Sequence, residues 1–405
     1  MTTTDVGVEP VAPPHLPRRG GGESKRLKIA LLVRSLNYGG AERQLVVLAK
    51  GLHERGHSVV VVVFYPHGPL QKELIDTGVR VRLLAKRGRW DVARFSLQLS
   101  RVLREERPDV IQGCHGVANL MAMAMRTVVP RATIVCGVRC TNLEMAKYGW
   151  LTRAANLLAD ALRSVPDLFI ANSQVAQREL VARGYSTNKI VVIPNGIDTD
   201  RFTIDRGAGR ALRRDLGIAD DELLVGRVGR IDPMKDHTTF LRAAAEVVKS
   251  RTNVRFVCVG DGEAEYRTQL QALGDHLGLG KQLLWLQAQR DMHAVYNALD
   301  IACSSSAFGE GFPNVVGEAM ACGVPCVVTD VGDSAWVVGE SAAVVKPRDP
   351  AALAHQLVQL VDRGSHELVR IGVASRDRIV NHFAIERLVS TTERVLNAAV
   401  EGSVA

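Results

Sequence analysis

The chain has 405 residues, is 46% hydrophobic and 23% charged, and carries a formal net charge of +8. That length exceeds one ordinary core, so two domains of a soluble globular protein are expected. No apolar run reaches the ~18–20 residues that span a bilayer, and the first 26 residues lack the apolar centre of a signal peptide, so a cytoplasmic protein is expected.

Residues 1–26, rich in Thr, Pro and Gly, are expected to be a disordered tail. A strand over 27–33 runs into Gly39 and Gly40, which open a helix reaching about Arg55. Glycines between strand and helix let a ligand approach the C-terminal edge of a parallel sheet. The dinucleotide pattern G-x-G-x-x-G is absent. Strands follow at 58–64, 79–84, 110–113 and 132–138. Nine Lys or Arg lie between residues 80 and 107, several on an amphipathic helix over 91–106 whose apolar face is Val92, Phe95, Leu99, Val102 and Leu103. A basic patch suits an anionic membrane surface or an anionic acceptor, and a solvated helix face is the bland alternative. It lacks the interleaved aromatics of a nucleic-acid site, so no nucleic acid is expected. His115 directly follows the strand 110–113, in a cleft position. Arg139 and the Cys140-Thr141-Asn142 stretch end another strand, with Arg139 equally suited to a phosphate, an acceptor or a plain surface role. After a strand at 168–171, Ser173 is a natural N-cap. The turn Asn195-Gly196-Ile197-Asp198 follows the strand 190–194 and reads as structural.

Residues 199–222 read as a charged linker with a helix. The second block starts with a strand at 223–228 and a glycine-led loop carrying Arg230 and Lys235, five apart, before a helix over 238–250. Such a pair is a natural clamp for a diphosphate. A strand over 254–259 ends in Gly260 and Asp261, and one over 283–286 leads to a loop containing Gln287 and Arg290. The strand 301–304 then enters the central stretch 304–333. There Gly309 and Gly311 permit a tight turn through Phe312. Pro313 suits the first helical position, and Gly323 the left-handed stop after the helix. The amides of Asn314 and Val315 would face outward from the helix N-terminus, a position that attracts an anion such as phosphate. Glu310 and Glu318 bracket that site with seven residues between them. Carboxylates beside a phosphate site accept bonds from hydroxyls, which implies a ligand carrying both phosphate and sugar. Residues 344–346 and the Asp349-Pro350 pair lead to a helix over 351–363, and helices over about 365–380 and 384–400 close the chain. The seven cysteines show no paired metal-ligand spacing and read as reduced thiols, with neither zinc nor disulfides. Alternating strands and helices in two blocks give the fold class: α/β, with two doubly wound parallel sheets facing across a cleft.

Glu310-Gly311-Phe312-Pro313 through Glu318, with the Arg230/Lys235 loop, resembles the E-x7-E pattern of retaining family 4 glycosyltransferases of the GT-B fold, and the likeness runs over about residues 27–400. The resemblance implies an acceptor-side domain over 27–200 completed by the last helix (about 383–400), and a nucleotide-sugar domain over 201–382. It implies a metal-independent, retaining hexosyl transfer from a nucleotide diphosphate sugar, UDP ahead of GDP, to a saccharide or lipid-linked acceptor in polysaccharide or glycolipid synthesis, with no cofactor. Gly39 and Gly40 would face the donor diphosphate and the acceptor, and His115 the donor sugar. Gly260 and Asp261 would lie beside the nucleotide. The Gln287–Arg290 loop would meet the base, although relatives usually carry Gly where Gln287 stands. Arg230 and Lys235 would neutralise the departing nucleotide. Glu310 would hold donor-sugar hydroxyls and Glu318 the ribose. The alternatives are a non-catalytic nucleotide-sugar-binding subunit and a same-fold sugar-nucleotide epimerase. A glycosidase-like pair of carboxylates fits less well, because the phosphate site adjoins them.

Overall fold

The computed structural model describes residues 25–402, apart from 67, 89–90 and 140–149. Residues 1–24 of the expected tail, Arg89 and Cys140-Thr141-Asn142 therefore lie outside the described residues.

Runs of β-branched residues make the strands, as in β2, Ser58–Val63, where five consecutive valines are buried. In chain order the first half is β1 (Lys28–Val33), α1 (Gly40–Glu54), β2, α2 (Leu70–Asp76), β3 (Arg80–Leu83), α3 (Val92–Glu106), β4 (Val110–Gly113), α4 (Val117–Ala124), β5 (Thr133–Val138), α5 (Trp150–Ala161), β6 (Leu168–Ala171), α6 (Gln174–Ala182) and β7 (Ile190–Val192). The second half is α7 (Arg206–Asp215), β8 (Leu223–Val228), α8 (His237–Val248), β9 (Val254–Val259), α9 (Ala264–His276), β10 (Leu283–Leu286), α10 (Met292–Ala298), β11 (Ile301–Ser304), α11 (Asn314–Ala321), β12 (Cys326–Thr329), α12 (Ser334–Val338), β13 (Ala343–Val345), α13 (Pro350–Asp362), α14 (Gly364–Phe383) and α15 (Ile385–Val400).

The strands form two parallel sheets, ordered β3-β2-β1-β4-β5-β6-β7 and β10-β9-β8-β11-β12-β13. Each order reverses once, between β1 and β4 and between β8 and β11. At such a switch point the connecting loops diverge and leave a crevice at the strand C-termini. The loops after β1 and β4 carry Gly39, Gly40 and His115. Those after β8 and β11 carry Arg230, Lys235 and Glu310.

The last helix returns to the first sheet. Leu388, Val389, Val395 and Leu396 of α15 join the core that α1 and β1 build. Val389 occupies the space where a Cβ on Gly51 would stand. Arg55 bonds Glu386 at 2.8 Å and Glu393 at 2.6 Å, and His57 lies 3.0 Å from Glu393.

Three local readings are corrected. Pro313 stands one residue before α11, as its N-cap, rather than inside the first turn. Val92 is half exposed, while Phe95, Leu99 and Leu103 carry the buried face of α3. The basic stretch is also smaller than its count suggests, because Arg80 and Arg82 both bond Glu106, at 2.7 and 3.0 Å. The six described cysteines are buried free thiols.

Candidate active site at the facing switch points

The second domain builds its half of the site around two touching loops. Gly229 N donates to Val259 O at 2.9 Å, and Ile231 N to Asp261 O at 2.8 Å, so the β8 and β9 loops continue the ladder beyond the strands. Gly260 has φ +151°, and a Cβ there would collide with the Gly229 carbonyl, so glycine is required. Asp232 accepts from Met234 N at 2.9 Å and turns the chain through a short 3-10 helix, Pro233–Lys235. Asp236 then caps α8 through Thr239 N at 3.1 Å.

Lys235 ends that turn with its ammonium on Glu310 Oε1, and Ser306 Oγ donates to the same oxygen at 2.6 Å. Both charged side chains are largely shielded from water. Burial pushes the Glu310 carboxyl up, but Lys235, Ser306 and Arg227 together pull it below the usual glutamate value. In the sequence, Arg227 is one residue of the strand 223–228. It is fully buried beneath the loop, donating to Lys235 O at 2.8 Å, Val228 O at 2.6 Å and Ser305 Oγ at 3.2 Å. It fixes the backbone of Lys235. Its one sequence signal is a cation inside an otherwise apolar parallel strand. Arg230 is different: its side chain is 65% exposed and its carboxylate partner, Asp232, is 3.4 Å away.

Beyond Glu310 the chain reaches α11 through Gly311. Asn314 and Val315 are partly exposed, and first-turn amides lack intrahelical acceptors. Glu318, about one turn along, accepts from Tyr296 Oη at 2.7 Å. Burial raises its pKa above the ordinary glutamate value, with the Tyr296 bond opposing. Glu310 and Glu318 thus have separate partners and opposite electrostatic settings.

The first domain meets this half closely. A Cβ on Gly40 would lie 3.1 Å from Asn314 Nδ2. Asn195 donates to Asn314 Oδ1 at 2.8 Å and accepts from Arg139 at 3.0 Å. The turn read as structural therefore links an arginine of the first domain to the mouth of α11. A Cβ on Gly311 would lie 2.8 Å from the Asn172 amide oxygen. Asp333, at the end of the central stretch, accepts from the first amides of α6, Gln174 N at 2.6 Å and Val175 N at 3.1 Å. The expected Ser173 cap is present on Ala176 N at 3.1 Å. His115 is solvent-exposed at the cleft edge. Desolvation by the cleft wall lowers its pKa from the ordinary histidine value, with Glu42 opposing and Arg139 adding.

Gln287 and Arg290 lie on an exposed rim, tied to the β9 loop by Ala288 N donating to Asp261 at 3.1 Å. The structure thus brings Lys235 onto Glu310 and Gly40 beside Asn314, and leaves Arg230, Gln287 and Arg290 at the edge. Among the described residues no group of three or more His, Cys, Asp or Glu is placed to hold a metal ion.

Residues 38–201 match the family model described as Glycosyltransferase Family 4, and residues 222–363 that described as Glycosyl transferases group 1. Similar curated proteins include the D-inositol 3-phosphate glycosyltransferase of Mycobacterium sp. (strain KMS), 35% identical over 213 residues, 51% of this chain and 47% of that protein. The protein of the same name from Geodermatophilus obscurus is 34% identical over 247 residues, 58% of this chain and 53% of that one. The chain thus spans about half the length of these curated relatives. Among solved structures, Anabaena Alr3699/HepE in complex with UDP-glucose aligns with a TM-score of 0.80 at 23% identity, covering 92% of this chain and 100% of that one. A Rickettsia africae glycosyltransferase aligns with a TM-score of 0.80 at 17% identity, covering 93% and 100%. At these identities the structural likeness speaks for the fold alone. With both of its sheets in the GT-B arrangement and both halves matched by glycosyltransferase families, the chain belongs to the family 4 glycosyltransferases.

Proposed function

We propose that this protein transfers a hexosyl group from a nucleotide diphosphate sugar to a hydroxyl of a saccharide or lipid-linked acceptor, with retention at the anomeric carbon and without metal or other cofactor. Residues 201–382 bind the donor, and residues 27–200 with α15 present the acceptor, which a lipid anchor would hold at an anionic membrane surface. The observation carrying the reading is the pairing of two switch points, with Lys235, Glu310 and the α11 N-terminus on one side and Gly40 and His115 on the other.

In the reaction the bond from the anomeric carbon to the leaving phosphate oxygen breaks, and a bond to the acceptor oxygen forms on the same face. The acceptor proton passes to the departing phosphate oxygen. Negative charge grows on the diphosphate, where Lys235, Arg230 and the Asn314 and Val315 amides stabilise it. A bound diphosphate competes with Glu310 for Lys235, leaving the Glu310 carboxylate to accept from sugar hydroxyls. Arg227 keeps Lys235 in place throughout. Glu318 accepts from the ribose, and Gly260, Asp261 and the Gln287–Arg290 loop flank the base. The Gly311-Phe312-Pro313 turn shapes the phosphate pocket. UDP is favoured, since the Anabaena HepE structures hold UDP and UDP-glucose.

Incubation with a UDP-hexose and a panel of glycoside acceptors, followed by NMR of the product, tests this. Released UDP with an unchanged anomeric configuration is expected. Inversion contradicts the retaining mechanism, and an isomerised donor without UDP release indicates an epimerase instead.

A further inference from the structure

Glu318 is the one ionisable residue of α11, a helix otherwise of apolar and small side chains apart from Asn314. A carboxylate there costs desolvation unless the protein binds it. Among the described residues one group does so by hydrogen bond: the Tyr296 hydroxyl of α10, on Oε2 at 2.7 Å. Among the described residues Oε1 has no hydrogen-bond partner, and it is not sealed from solvent. One carboxylate oxygen is thus taken up by the protein and the other is left for a ligand.

The tyrosine is held firmly. It is fully buried, and its ring meets Phe202 edge to face, with centroids 5.7 Å apart and planes at 75°. Phe202 belongs to the segment that joins the domains, and Arg376 of α14 fastens it. That guanidinium donates to Phe202 O at 2.6 Å, to Thr199 O at 3.1 Å and to Ala321 O at the end of α11. One arginine therefore ties down both the ring's neighbour and the helix that carries Glu318. Tyr296 also lines a small cavity with Val228, Ser304 and Val315, so it adjoins the N-terminal turn of α11 as well as the carboxylate.

A tyrosine buried for packing alone needs some partner for its hydroxyl, and a backbone carbonyl would serve. A carboxylate partner gives a charge-assisted bond, roughly twice as strong as a neutral one. The other charged groups near Glu318 are Arg201 of the linker and Arg43 of α1, which act through space, with the Cys322 thiol one turn on. Arg43 is bonded to Glu73 instead, at 2.6 Å. The phenol stays a donor, because burial and then Glu318 push its pKa well above the ordinary value, with Cys322 and Cys326 adding.

We propose that Tyr296 is a positioning residue of the sugar-donor site: its hydroxyl occupies Oε2 of Glu318 and so presents Oε1, as an oriented anion, to the vicinal hydroxyls of the ribose. This role rests on the reading of Glu318 as the ribose partner. A nucleotide lacking those hydroxyls gains nothing from it, so Tyr296 contributes to selection of ribonucleotides.

Tyr296→Phe keeps the ring and removes only the hydroxyl. Calorimetry with UDP and with its 2′,3′-dideoxy analogue at several pH values tests the role, together with a carbon-13 titration of the Glu318 carboxyl, assigned with Glu318→Gln. Wild type should bind UDP about tenfold or more tighter than the analogue. The substitution should weaken UDP by about tenfold and leave the analogue within about twofold, so that the preference collapses. Retained binding of the analogue reports an intact fold. Losing the bond disfavours the ionised carboxylate, so the Glu318 titration, and with it the acidic limb of UDP binding, should move to higher pH in the variant. The nucleotide's own phosphate titrates alike with both proteins. An equal loss for both nucleotides, or a Glu318 titration that the substitution leaves in place, overturns the role and makes the tyrosine core packing only. Equal wild-type affinity for the two nucleotides overturns the ribose reading of Glu318 and this role with it. A wild type that binds neither overturns the sugar-donor reading instead, and the carboxyl titration alone then decides whether Tyr296 holds Glu318.

Discussion

The two domains share a topology and differ in how they build their switch points. In the second domain the polar groups are buried and paired: Arg227 under the Lys235 loop, Lys235 on Glu310, Tyr296 on Glu318. In the first domain the rim is backbone and exposed side chain: Gly39, Gly40, Tyr38 and His115. A site for a diphosphate that always has the same shape gains from preorganised charge. A site for an acceptor gains from an open floor that few fixed groups dictate. On the proposed transfer, the contrast explains why the second domain's residues stood out as motifs while the first domain named no substrate.

The contrast can be broken by removing fixed donor-side charge. Lys235→Ala should lower kcat/KM by about 100- to 1000-fold, while His115→Ala, on the open side, should cost distinctly less; steady-state kinetics with one donor compares the two. Equal losses would erase the distinction between the domains.

Arg227→Met sharpens it by separating support from contact. The substitution removes the guanidinium from the buried Val228 carbonyl and from Ser305, and leaves Lys235 O with Ser305 Oγ alone, at 3.1 Å, which should cost about 2–3 kcal/mol of stability. Denaturant unfolding reads that loss, and donor affinity should fall with Lys235 itself unchanged.

His237 gives the same region a pH signature. It is fully buried beside Arg227 and Lys235 at the start of α8, and burial pushes its pKa down to about 2 from 6.5. Above pH 6.5 both folded and unfolded chains hold it neutral. As pH falls below that value the unfolded chain binds a proton that the folded one refuses. Stability should therefore drop by up to about 1.4 kcal/mol per pH unit from this group. His237→Val should flatten that part of the stability–pH curve, as measured by urea unfolding at several pH values.

The smallest expected effect lies where the domains touch. Asp333→Asn replaces a carboxylate on the α6 N-terminus by an amide, at a cost of about 1 kcal/mol. A change in the solution scattering profile toward a wider cleft, with the second domain's donor affinity little altered, would identify Asp333 as a contact between domains rather than a ligand.

Much of this was legible in the sequence for local reasons. Strands of valine and isoleucine, the left-handed Gly323, the Ser173 cap and the Lys235 and Glu310 motifs each announce themselves within a few residues. What escaped depends on distant partners. Arg227 looked like one residue of a strand until the loop folded over it. Asn195 looked like a turn until Asn314, 119 residues away, met it. Asp333 is only the last residue of the central stretch until the α6 amides meet it, and Arg80 and Arg82 count as basic charge until Glu106 comes alongside. Pro313 was misplaced by one position, because a helix start depends on the turn preceding it as well as on the residue.

Donor binding in EDTA decides between these readings, with thermal stability followed as UDP, GDP, ADP and their sugar conjugates are titrated. A ligand at a hundred times its dissociation constant adds about 2.7 kcal/mol. One nucleotide, UDP, should stabilise the protein, and Lys235→Ala and Glu318→Ala should each abolish that gain. Stabilisation by none of them, or stabilisation that survives both substitutions, would contradict the donor site described above.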